Sequence, residues 1–556
     1  MTRNISLNSL FNATPIPIPA TFRVSLTPKE DQLCTLLDEC KQQLEKNGQN
    51  VECRIAGGWV RDKLLGSQSN DIDIALANIM GVPFAEHFVA HASEKGYPKM
   101  SVATIGRNPE QSKHLETAHI NFLEVGLDFV NLRSESYAEG SRIPNEIKLG
   151  TPLEDALRRD ITMNALFYNV HTRTVEDFTG KARKNGLDDL RSGVLRTPLA
   201  PYETFKDDPL RVIRCIRFAS RYGFQLIEEI EESMQNAEIQ AAIMSKISKE
   251  RIGDELDKMM KGRDPLYAIR LITSHNLQPS IFAVPSSISS TFSSPPTSPS
   301  TALGTATLTH ALLTQSLPDT LQLPAPHPLL LSQLPLDPTL RQRLFLAATL
   351  TPYTHITYTL PKKKNDFNHY VDGIPALFTA ADILRGVDAS QFEGPGERGR
   401  IGLLLRTKSV HNMNSGSHWS SSLLFSLVQE LAVLWKADKD EFDIKQAATV
   451  IHRYNRFLER VEELNLPNSI NDKPLLNGKE VVSLLGATTP GAWTGAMLSS
   501  VSAWALDHPE GTKDECAAWL KEEHAAGRII IDARPQNAAK PPPKKKAKVT
   551  QKMEDQ

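Results

Sequence analysis

The chain has 556 residues, of which 40% are hydrophobic and 23% are charged. At about 150 residues per domain this length predicts roughly three or four domains, and the composition excludes wholesale disorder. The 63 Lys and Arg residues nearly balance the 65 Asp and Glu residues, which gives a net charge of -2. A uniformly basic, histone-like binder is therefore excluded, and any contact with nucleic acid must come from local basic patches.

The cysteines and the apolar runs indicate the compartment. The five cysteines are few, odd in number and without a CxxC pair, which argues against a disulfide framework and a cysteine-based zinc site. Reduced thiols in an intracellular compartment are therefore expected. No apolar run approaches the roughly 20 residues that span a bilayer. The best candidate, Leu423 to Trp435, is short and contains Glu430, so no membrane partner is predicted.

Residues 1–26 are predicted to form an irregular N-terminal extension, because Pro15, Pro17 and Pro19 block a helix. No acidic residue precedes Glu30, and Arg3 lies among several Ser, Asn and Thr residues. This composition is typical of a mitochondrial transit peptide and equally of a frayed extension.

Residues 27–170 are predicted to form a small mixed α/β head. A helix is expected to begin at Thr27-Pro28 and to run to about Lys46, since proline is favoured at the first helical position. Alternating and apolar runs then predict four strands and one short helix. They are a strand at 51–56, a helix at 59–66, and strands at 71–76, 118–122 and 127–132, the last two hinged at Gly126.

The remainder of the chain has mostly helical patterns, so the expected fold class is α+β: a small mixed-sheet head followed by an all-α neck, body and tail. The neck is placed at 171–265, the body and tail at 266–534, and a basic, disordered tail at 535–556. Residues 285–301 comprise 15 Ser, Thr or Pro among 17 positions. Because such a composition is typical of linkers, a disordered insertion or linker is expected at 285–301, and a Ser/Thr/Pro-rich insertion into the body is placed at about 283–340.

The segment most informative about chemistry is Gly57-Gly58-Trp59-Val60-Arg61-Asp62, followed by Asp71-Ile72-Asp73. Side chains alternate along a strand, so Asp71 and Asp73 point to one face, where two carboxylates suit Mg²⁺. The Gly-Gly turn lets backbone N–H groups approach a phosphate, and Arg61 can reach anionic oxygens. Nucleotidyl transfer needs such a set, with one Mg²⁺ activating the attacking hydroxyl and a second holding the triphosphate.

A third carboxylate is expected from a neighbouring strand. Asp128 interrupts the apolar run Leu127 to Val130, and a lone buried Asp there is unfavourable without a partner, which favours a metal-facing role. Glu124 fits less well because it lies at the edge of the strand. A DxD on a strand is by itself more often a solvated surface, but its combination with the Gly-Gly turn and Asp128 favours catalysis.

Two further clusters are rich in arginine. Arg158-Arg159-Asp160 interrupts a predicted helix and suits phosphate or ribose binding, with a surface ion-pair ladder as the alternative. Asp207-Asp208-Pro209-Leu210-Arg211 is predicted to begin a helix, with both aspartates at the positive end of its dipole. Asp208 and Arg211 then offer an acceptor and donors to a nucleobase edge, and one helical stripe continues with Arg214, Arg217 and Arg221. An N-cap with a solvated arginine face is the alternative.

In this order the clusters resemble the class II CCA-adding tRNA nucleotidyltransferases of the polymerase-β-like superfamily, in their eukaryotic, fungal form. The resemblance runs from Ile55 to about Leu256 and includes Phe129-Val130-Asn131-Leu132-Arg133 and Ser248-Lys249-Glu250-Arg251-Ile252. It implies an enzyme that adds C, C and A to tRNA 3′ ends without a nucleic-acid template. The implied partners are the tRNA acceptor end, CTP and ATP, and the implied cofactors are two Mg²⁺ ions.

The resemblance also implies residue roles. Asp71 and Asp73 would hold the metals, Asp128 would be the third catalytic carboxylate, and Gly57, Gly58 and Arg61 would contact the nucleotide. Arg158, Arg159 and Asp160 would contact its sugar and phosphates, while Asp208 and Arg211, supported by Asp207, would read its base. The segment between Asn131 and Ile147, with Arg133, Arg142 and Gly140, resembles the loop that helps the switch from C to A. The RNA contacts are expected at Arg214, Arg217, Lys362, Lys363 and Lys364, although a solvated run explains the three lysines equally well.

The segment Pro541 to Val549 resembles a nuclear localisation signal, in which Lys544 to Lys548 would bind a nuclear import receptor; a basic tail without a receptor is the alternative. Cytoplasm, mitochondrion and nucleus are all expected locations. Two other functions stay open: a partial-CCA or poly(A) nucleotidyltransferase, and a non-catalytic RNA-binding paralogue, which the three carboxylates disfavour. The chain has no His-Asp dipeptide and no GxxxxGK[ST], which disfavours an HD phosphohydrolase and a P-loop ATPase.

Overall fold

The computed structural model describes residues 12–69, 71–105, 117–137, 144–180, 185–358, 374–412, 416–436, 441–491 and 493–529. They form two compact units. One comprises the described residues of 1–385 and 412–454, and the other comprises those of 386–411 and 455–556. Over the described ranges, no helix has both the length and the apolar character needed to cross a membrane.

The first part of the chain forms a mixed sheet with flanking helices. Its elements are α1 (Pro28–Lys46), β1 (Glu52–Ala56), α2 (Gly58–Leu64), β2 (Asp71–Ala77), α3 (Gly81–Glu94), β3 (Ala103–Ile105), β4 (Thr117–Phe122), β5 (Val125–Asn131), β6 (Arg133–Tyr137), β7 (Pro144–Leu149), α4 (Pro152–Leu157), β8 (Leu166–Asn169) and β9 (Thr174–Asp177). Seven strands pair in the order β3-β4-β5-β2-β1-β8-β9. β2 and β5 run parallel, whereas β6 and β7 form a separate antiparallel pair.

Local sequence explains the start of the head. Thr27 accepts a hydrogen bond from the Glu30 backbone and the Glu30 carboxylate accepts one from the Thr27 backbone, so α1 begins with a capping box. The predicted hinge at Gly126 is wrong, because Gly126 lies inside β5. The turn lies at Leu123 and Glu124, whose φ angles are 50° and 69°.

Helices dominate the rest of the chain. They are α5 (Gly186–Ser192), α6 (Pro201–Asp207), α7 (Leu210–Tyr222), α8 (Glu228–Gln235), α9 (Ala237–Lys246), α10 (Lys249–Lys261), α11 (Pro265–Ser274), α12 (Gln278–Ile281), α13 (Ser286–Ser289), α14 (Ser300–Leu313), α15 (Leu340–Leu350), α16 (Ile374–Leu384), α17 (Glu397–Arg406), α18 (Trp419–Val433), α19 (Ile444–Glu463), α20 (Leu466–Ser469), α21 (Gly478–Leu484), α22 (Trp493–Asp507) and α23 (Lys513–Ala525). Two short strand pairs accompany them: β10 (Val194–Leu195) with β11 (Gln225–Leu226), and β12 (Trp435–Lys436) with β13 (Glu441–Phe442). The expected α+β class is confirmed, whereas the predicted domain boundaries stay predictions.

The expectation of disorder at 285–301 is wrong, because Ser293 N and Thr297 N donate to the backbone carbonyls of Thr357 and Pro352 at 2.9 Å. This segment leads into α14, which is buried along most of its length. Thr305, Thr307 and Thr309 each donate a hydroxyl hydrogen bond to the backbone carbonyl four residues earlier, at 2.8 Å. Their hydroxyls are thereby satisfied within the helix, so a threonine-rich segment can enter a core. At Gly304 an added Cβ would lie 2.2 Å from the Trp435 ring, so only glycine lets that ring approach.

Residues 14–26 form a strap that lies along the head and neck. Ile16 N donates to Tyr222 O at 2.9 Å, and Arg263 Nη1 donates to Thr14 O at 2.7 Å. Ile16, Ile18, Phe22, Val24 and Leu26 pack against the main apolar core. The predicted extension is irregular, as expected, but its described part is bound rather than frayed.

The second unit has an apolar core of its own, which includes Val481, Val501 and Leu520 from α21, α22 and α23. Several predictions fall outside the described residues. These are the lysine run Lys362, Lys363 and Lys364, the loop positions Gly140 and Arg142, and the basic tail from 535 onward.

Candidate active site

Strand pairing brings the predicted carboxylates together. Asp71 and Asp73 are exposed on β2 while Ile72 between them is buried, so both acids share one face, as the alternation predicted. In the parallel pair of β2 with β5, Asp73 lies opposite Asp128. One row across the sheet therefore carries an acid on each of two neighbouring strands.

Asp73 lies in an electrostatically demanding position. Its carboxylate meets solvent at the surface of the sheet, yet protein atoms surround it on the other sides. Burial, together with the nearby carboxylates of Asp128 and Asp71, raises the pKa of Asp73 to about 6, although the guanidinium of Arg159 opposes the shift. A divalent cation bound between these carboxylates would reduce the repulsion between their negative charges.

Asp128 differs from the prediction of a lone buried acid. Its side chain is 30% exposed, and its Oδ1 lies 2.7 Å from Nδ1 of His119. His119 is the register partner of Asp128 on β4. The argument that burial forces Asp128 toward a metal is therefore wrong, but its place beside Asp73 is the one expected.

The Gly-Gly turn connects the sheet to α2. Gly57 has a φ of 73°, and an added Cβ there would lie 2.7 Å from Nη1 of Arg159, so this turn requires glycine. Arg61 is buried and donates hydrogen bonds to Asp62 and to the side chain of Asn164. No sequence motif marks Asn164 as a partner of Arg61, since it lies 103 positions later in the chain.

The second cluster lies after a helix rather than within one, because α4 ends at Leu157. Asp155 divides its two oxygens between neighbours: Arg158 Nε donates to Oδ1 at 2.9 Å and Arg159 Nη2 donates to Oδ2 at 2.9 Å. Burial alone would raise the pKa of Asp155, but the two arginines outweigh it and hold that pKa below its usual value. Asp155 thus fixes the guanidinium groups of both arginines just after the end of α4.

Asp160 is buried and faces α7. Arg214 Nε donates to its Oδ2 at 2.8 Å, and Asn164 Nδ2 donates to its Oδ1 at 3.1 Å. Burial opposes ionisation, yet Arg214, Asn164 and Arg211 outweigh it and lower the pKa of Asp160 to about 2. The turn that follows α4 is therefore joined to α7 by an ion pair.

The third cluster divides between two helices. Asp207 is the last residue of α6, so its predicted place at the positive end of the following helix is wrong. Burial raises the pKa of Asp207. Asp208 does occupy the predicted place, because its Oδ1 accepts from Leu210 N at 3.1 Å at the start of α7.

Asp208 and Arg211, the pair predicted to read the base, are held by residues outside the cluster. Oδ2 of Asp208 accepts from Arg251 Nη2 on α10 at 2.9 Å, and Arg211 Nη2 donates to the backbone carbonyl of Arg158 at 2.5 Å. Asp208 and Arg211 therefore have fixed positions.

The two arginines expected to contact RNA are paired within the protein. Arg214 binds Asp160, and both Arg214 and Arg217 bind Glu255 of α10. Glu255 was not predicted, although it lies four residues after Arg251. The RNA contacts of Arg214 and Arg217 stay predictions.

These elements enclose a cavity of about 710 Å³. Nine arginines and four aspartates line it, which makes it strongly positive: Arg61, Arg133, Arg158, Arg159, Arg211, Arg214, Arg217, Arg221 and Arg251, with Asp73, Asp155, Asp160 and Asp208. Gly58 also lines the cavity, whereas Gly57, Asp71, Asp128 and Asp207 do not. Such a cavity suits a polyanion such as a nucleoside triphosphate.

Comparison with curated proteins decides the family. The chain is 35% identical over 536 residues to the mitochondrial CCA tRNA nucleotidyltransferase of Saccharomyces cerevisiae, and the match covers 90% of this chain and 94% of that protein. It is 32% identical over 518 residues to the tRNA nucleotidyltransferase cca2 of Schizosaccharomyces pombe, covering 90% of this chain and 99% of the relative. The chain belongs to the CCA tRNA nucleotidyltransferase family. The resemblance found in the sequence is thus confirmed, and the protein is a nucleotidyltransferase.

Other comparisons agree with this family. A family model described as the poly A polymerase head domain matches residues 53–196, and one described as the probable RNA and SrmB-binding site of polymerase A matches residues 223–286. Among solved structures, the Thermotoga maritima CCA-adding enzyme complexed with tRNA_CCA superposes with a TM-score of 0.52 at 17% identity, covering 90% of this chain and 96% of that one. The Bacillus stearothermophilus CCA-adding enzyme in complex with CTP gives a TM-score of 0.50 at 21% identity, covering 90% and 99%. These likenesses show the shared fold.

The donor set of this nucleotidyltransferase fits magnesium in one particular way. Across the described ranges, no group of three or more His, Cys, Asp or Glu side chains is arranged to hold a metal ion. Mg²⁺, however, is usually bound by one or two carboxylates together with substrate phosphates and water. Two aspartates beside an arginine-rich cavity match that mode, in which the nucleotide supplies the missing ligands.

Proposed function

We propose that this family member adds C, C and A to the 3′ end of tRNA, using CTP and ATP and no nucleic-acid template. The observation that carries the proposal is the pair Asp208 and Arg211, which line the same arginine-rich cavity as Asp73. An acid that serves metal binding and a pair suited to a nucleobase edge thus face one space. The names of the fungal relatives agree with this activity.

We propose that Asp71 and Asp73 hold two Mg²⁺ ions, with Asp128 as the third catalytic carboxylate. When bound, the ions lower the pKa of the attacking tRNA hydroxyl and neutralise the pyrophosphate that leaves. Arg158 and Arg159 line the cavity with their guanidinium groups set by Asp155, so they can meet phosphate and ribose oxygens without reorganisation. Gly57 and Gly58 leave room for the triphosphate near Arg61.

Base selection follows from the chemistry of Asp208 and Arg211. Cytosine and adenine both present an exocyclic amino donor beside a ring-nitrogen acceptor, which a carboxylate and a guanidinium satisfy together. Guanine and uracil present the wrong edge and would leave a charged group unpaired, at a penalty on the order of 2–4 kcal/mol. In this proposal Asp160 stabilises the site through Arg214 and supports the turn that carries Arg158 and Arg159.

Extension of a tRNA that ends before CCA tests the proposal. With CTP alone we expect two additions, with ATP alone almost none, and with both nucleotides a complete CCA end. Incorporation of A residues only would support the poly(A) alternative, and a product that stops at CC with both nucleotides would support the partial-CCA alternative. Either result would overturn the proposal.

The metal assignment needs a separate variant. Asp71→Ala is expected to abolish turnover while leaving tRNA affinity within about twofold, because tRNA contacts the enzyme mainly through phosphates and shape. Asp188→Ala is the matched control, since Asp188 is 51% exposed and pairs with Arg191 on α5, outside the cavity. Full turnover by Asp71→Ala would refute the metal assignment, whereas a parent chain without turnover would support the non-catalytic alternative.

We also propose RNA contacts at Arg214, Arg217 and the run Lys362, Lys363 and Lys364. Replacement of the three lysines by Gln should weaken tRNA binding and reduce its dependence on salt, because binding with fewer phosphate contacts releases fewer counterions from the tRNA. A salt dependence equal to that of the parent would refute the lysine contacts.

For localisation we propose mitochondrial, cytoplasmic and nuclear pools, with import into the nucleus through Lys544 to Lys548. The two mitochondrial relatives support the first pool. Fluorescent fusions of the full chain, with and without replacement of Lys544, Lys545 and Lys546 by Ala, test the nuclear pool. An unchanged nuclear signal in the variant would refute this import route.

A further inference from the structure

We propose that His119 is a positioning residue for nucleotidyl transfer and that it acts by holding the carboxylate of Asp128 beside Asp73. The inference rests on the proposed two-metal function of these acids. No sequence motif identifies His119. Its position on the predicted strand before Asp128 is the one feature that connects the two residues in the sequence.

Sheet register defines the arrangement. His119 on β4 lies opposite Asp128 on β5, and Asp128 lies opposite Asp73 on β2. Three polar side chains on neighbouring strands thus form one row on the face that carries Asp71. His119 Nδ1 is 2.7 Å from Asp128 Oδ1, and the two side chains are 43% and 30% exposed. The contact is short, partly screened from water and next to the acid that lines the cavity.

This contact fixes the orientation of Asp128. Nδ1 must carry a proton to donate to a carboxylate oxygen, so one oxygen of Asp128 is occupied by the imidazole. Like charges repel, so without the imidazole the Asp128 carboxylate would turn away from Asp73 and Asp71 toward solvent. The imidazole opposes that rotation and leaves the second oxygen of Asp128 to face the row. Hydrogen-bond partners of ligating or neighbouring carboxylates commonly set metal affinity in this way.

The head contains a matched control. His171 Nδ1 lies 2.7 Å from Asp38 Oδ1, and its Nε2 accepts from Cys53 N at 3.1 Å. The same pair of groups at the same separation therefore occurs away from the row of His119, Asp128 and Asp73, because Asp38 lies on α1 and His171 follows β8. Removing it should disturb folding at least as much as removing His119, without touching the acids of β2 and β5.

The experiment compares His119→Leu, His119→Asn and His171→Leu in the full-length protein. Binding of Mn²⁺ in the presence of CTP is measured by electron paramagnetic resonance, alongside kcat and KM for CTP addition and the melting temperature. We expect His119→Leu to weaken Mn²⁺ binding and to lower kcat by about 10- to 100-fold, with KM for CTP within about twofold. His119→Asn should restore most of both, since its amide can donate from nearly the same position. His171→Leu should lower only the melting temperature.

Two results would overturn the inference. One is Mn²⁺ affinity and kcat in His119→Leu equal to those in His171→Leu, and the other is a failure of His119→Asn to improve on His119→Leu. If His119→Leu does not fold, the comparison of His119→Asn with His119→Ser, which keeps a smaller polar group, answers the same question. A fully active Asp71→Ala would instead refute the proposed metal assignment on which this inference rests, so the two failures are distinguishable.

Discussion

Replacing Arg251 by Met tests whether α10 fixes Asp208, the carboxylate that is proposed to read the base. Arg251 Nη2 donates to Asp208 Oδ2 at 2.9 Å, and the other oxygen of Asp208 is held by Leu210 N at 3.1 Å. Without Arg251, Asp208 keeps the hydrogen bond from Leu210 N alone. Its Oδ2 can then rotate, accept a hydrogen bond from the wrong nucleobase, or fail to accept one from the correct nucleobase. Selectivity for C over U and for A over G should therefore fall.

The size of the effect follows from the contact. A hydrogen bond to a charged group contributes about 1.5–3 kcal/mol when buried. The side chains of Arg251 and Asp208 are 35% and 20% exposed, and solvent screening reduces the contribution to about 1–2 kcal/mol. Since about 1.4 kcal/mol corresponds to a factor of ten, the ratio of kcat/KM for CTP to that for UTP should fall about 5- to 30-fold.

The assay is single-nucleotide extension of a tRNA that ends before CCA, with each of the four nucleotides in turn. Lys258→Met is the matched control, because Lys258 lies on the same helix, loses the same charge and is 57% exposed. A CTP-to-UTP ratio in Arg251→Met within twofold of that in Lys258→Met would refute the idea that Arg251 sets the position of Asp208.

Three further predictions concern the ion pair, the turn and the strap. Because the pKa of Asp160 is lowered from 3.8 to about 2, its ionised form stabilises the fold by about 2 kcal/mol above pH 4, and this is lost as the pH falls toward 2. Urea unfolding at pH 7 of Asp160→Asn, Arg214→Met and the double variant forms a double-mutant cycle, which should give a similar coupling energy. A coupling energy below about 0.5 kcal/mol would contradict the pairing. Gly57→Ala should lower kcat/KM for CTP at least about tenfold by displacing Arg159, whereas Gly66→Ala, with a φ of 78° and nothing within 4 Å, should show only backbone strain of about 1 kcal/mol. Equal kinetic losses in the two glycine variants would exclude the contact as the cause. Ile16→Ser should destabilise the first unit by about 1–2 kcal/mol through lost apolar burial, whereas the exposed Ala20→Ser should not; equal melting temperatures would show that the strap contributes nothing.

Much of the site was predictable because its signals are local. Alternation along β2 placed Asp71 and Asp73 on one face, and the spacing of Asp208 and Arg211 placed them one turn apart. What the sequence could not show are the groups that hold these residues, since they come from distant positions. Arg251 lies 43 residues from Asp208, and no pattern in a single chain records that contact.

The errors in the fold also have physical causes. Helical periodicity does not mark where a helix ends, so it predicts Arg158 within a helix although α4 ends at Leu157, and it predicts Asp207 at the start of α7 although Asp207 ends α6. The Ser, Thr and Pro content of 285–301 predicts disorder, because such residues cannot build an apolar core. Composition does not show that Ser293 N and Thr297 N find acceptors at Thr357 O and Pro352 O, both at 2.9 Å, which order the segment.

The strap limits how this chain can be shortened without loss of its N-terminal anchors. A processing protease that removes a targeting segment would have to cut ahead of Thr14, since cleavage further along would sever the anchors to Tyr222 and Arg263. The methionine that follows Met1 in the sequence is Met80, beyond Gly57 and Asp73. A polypeptide initiated at that codon would lack the strap and β2, and with β2 the two acids that are proposed to hold magnesium.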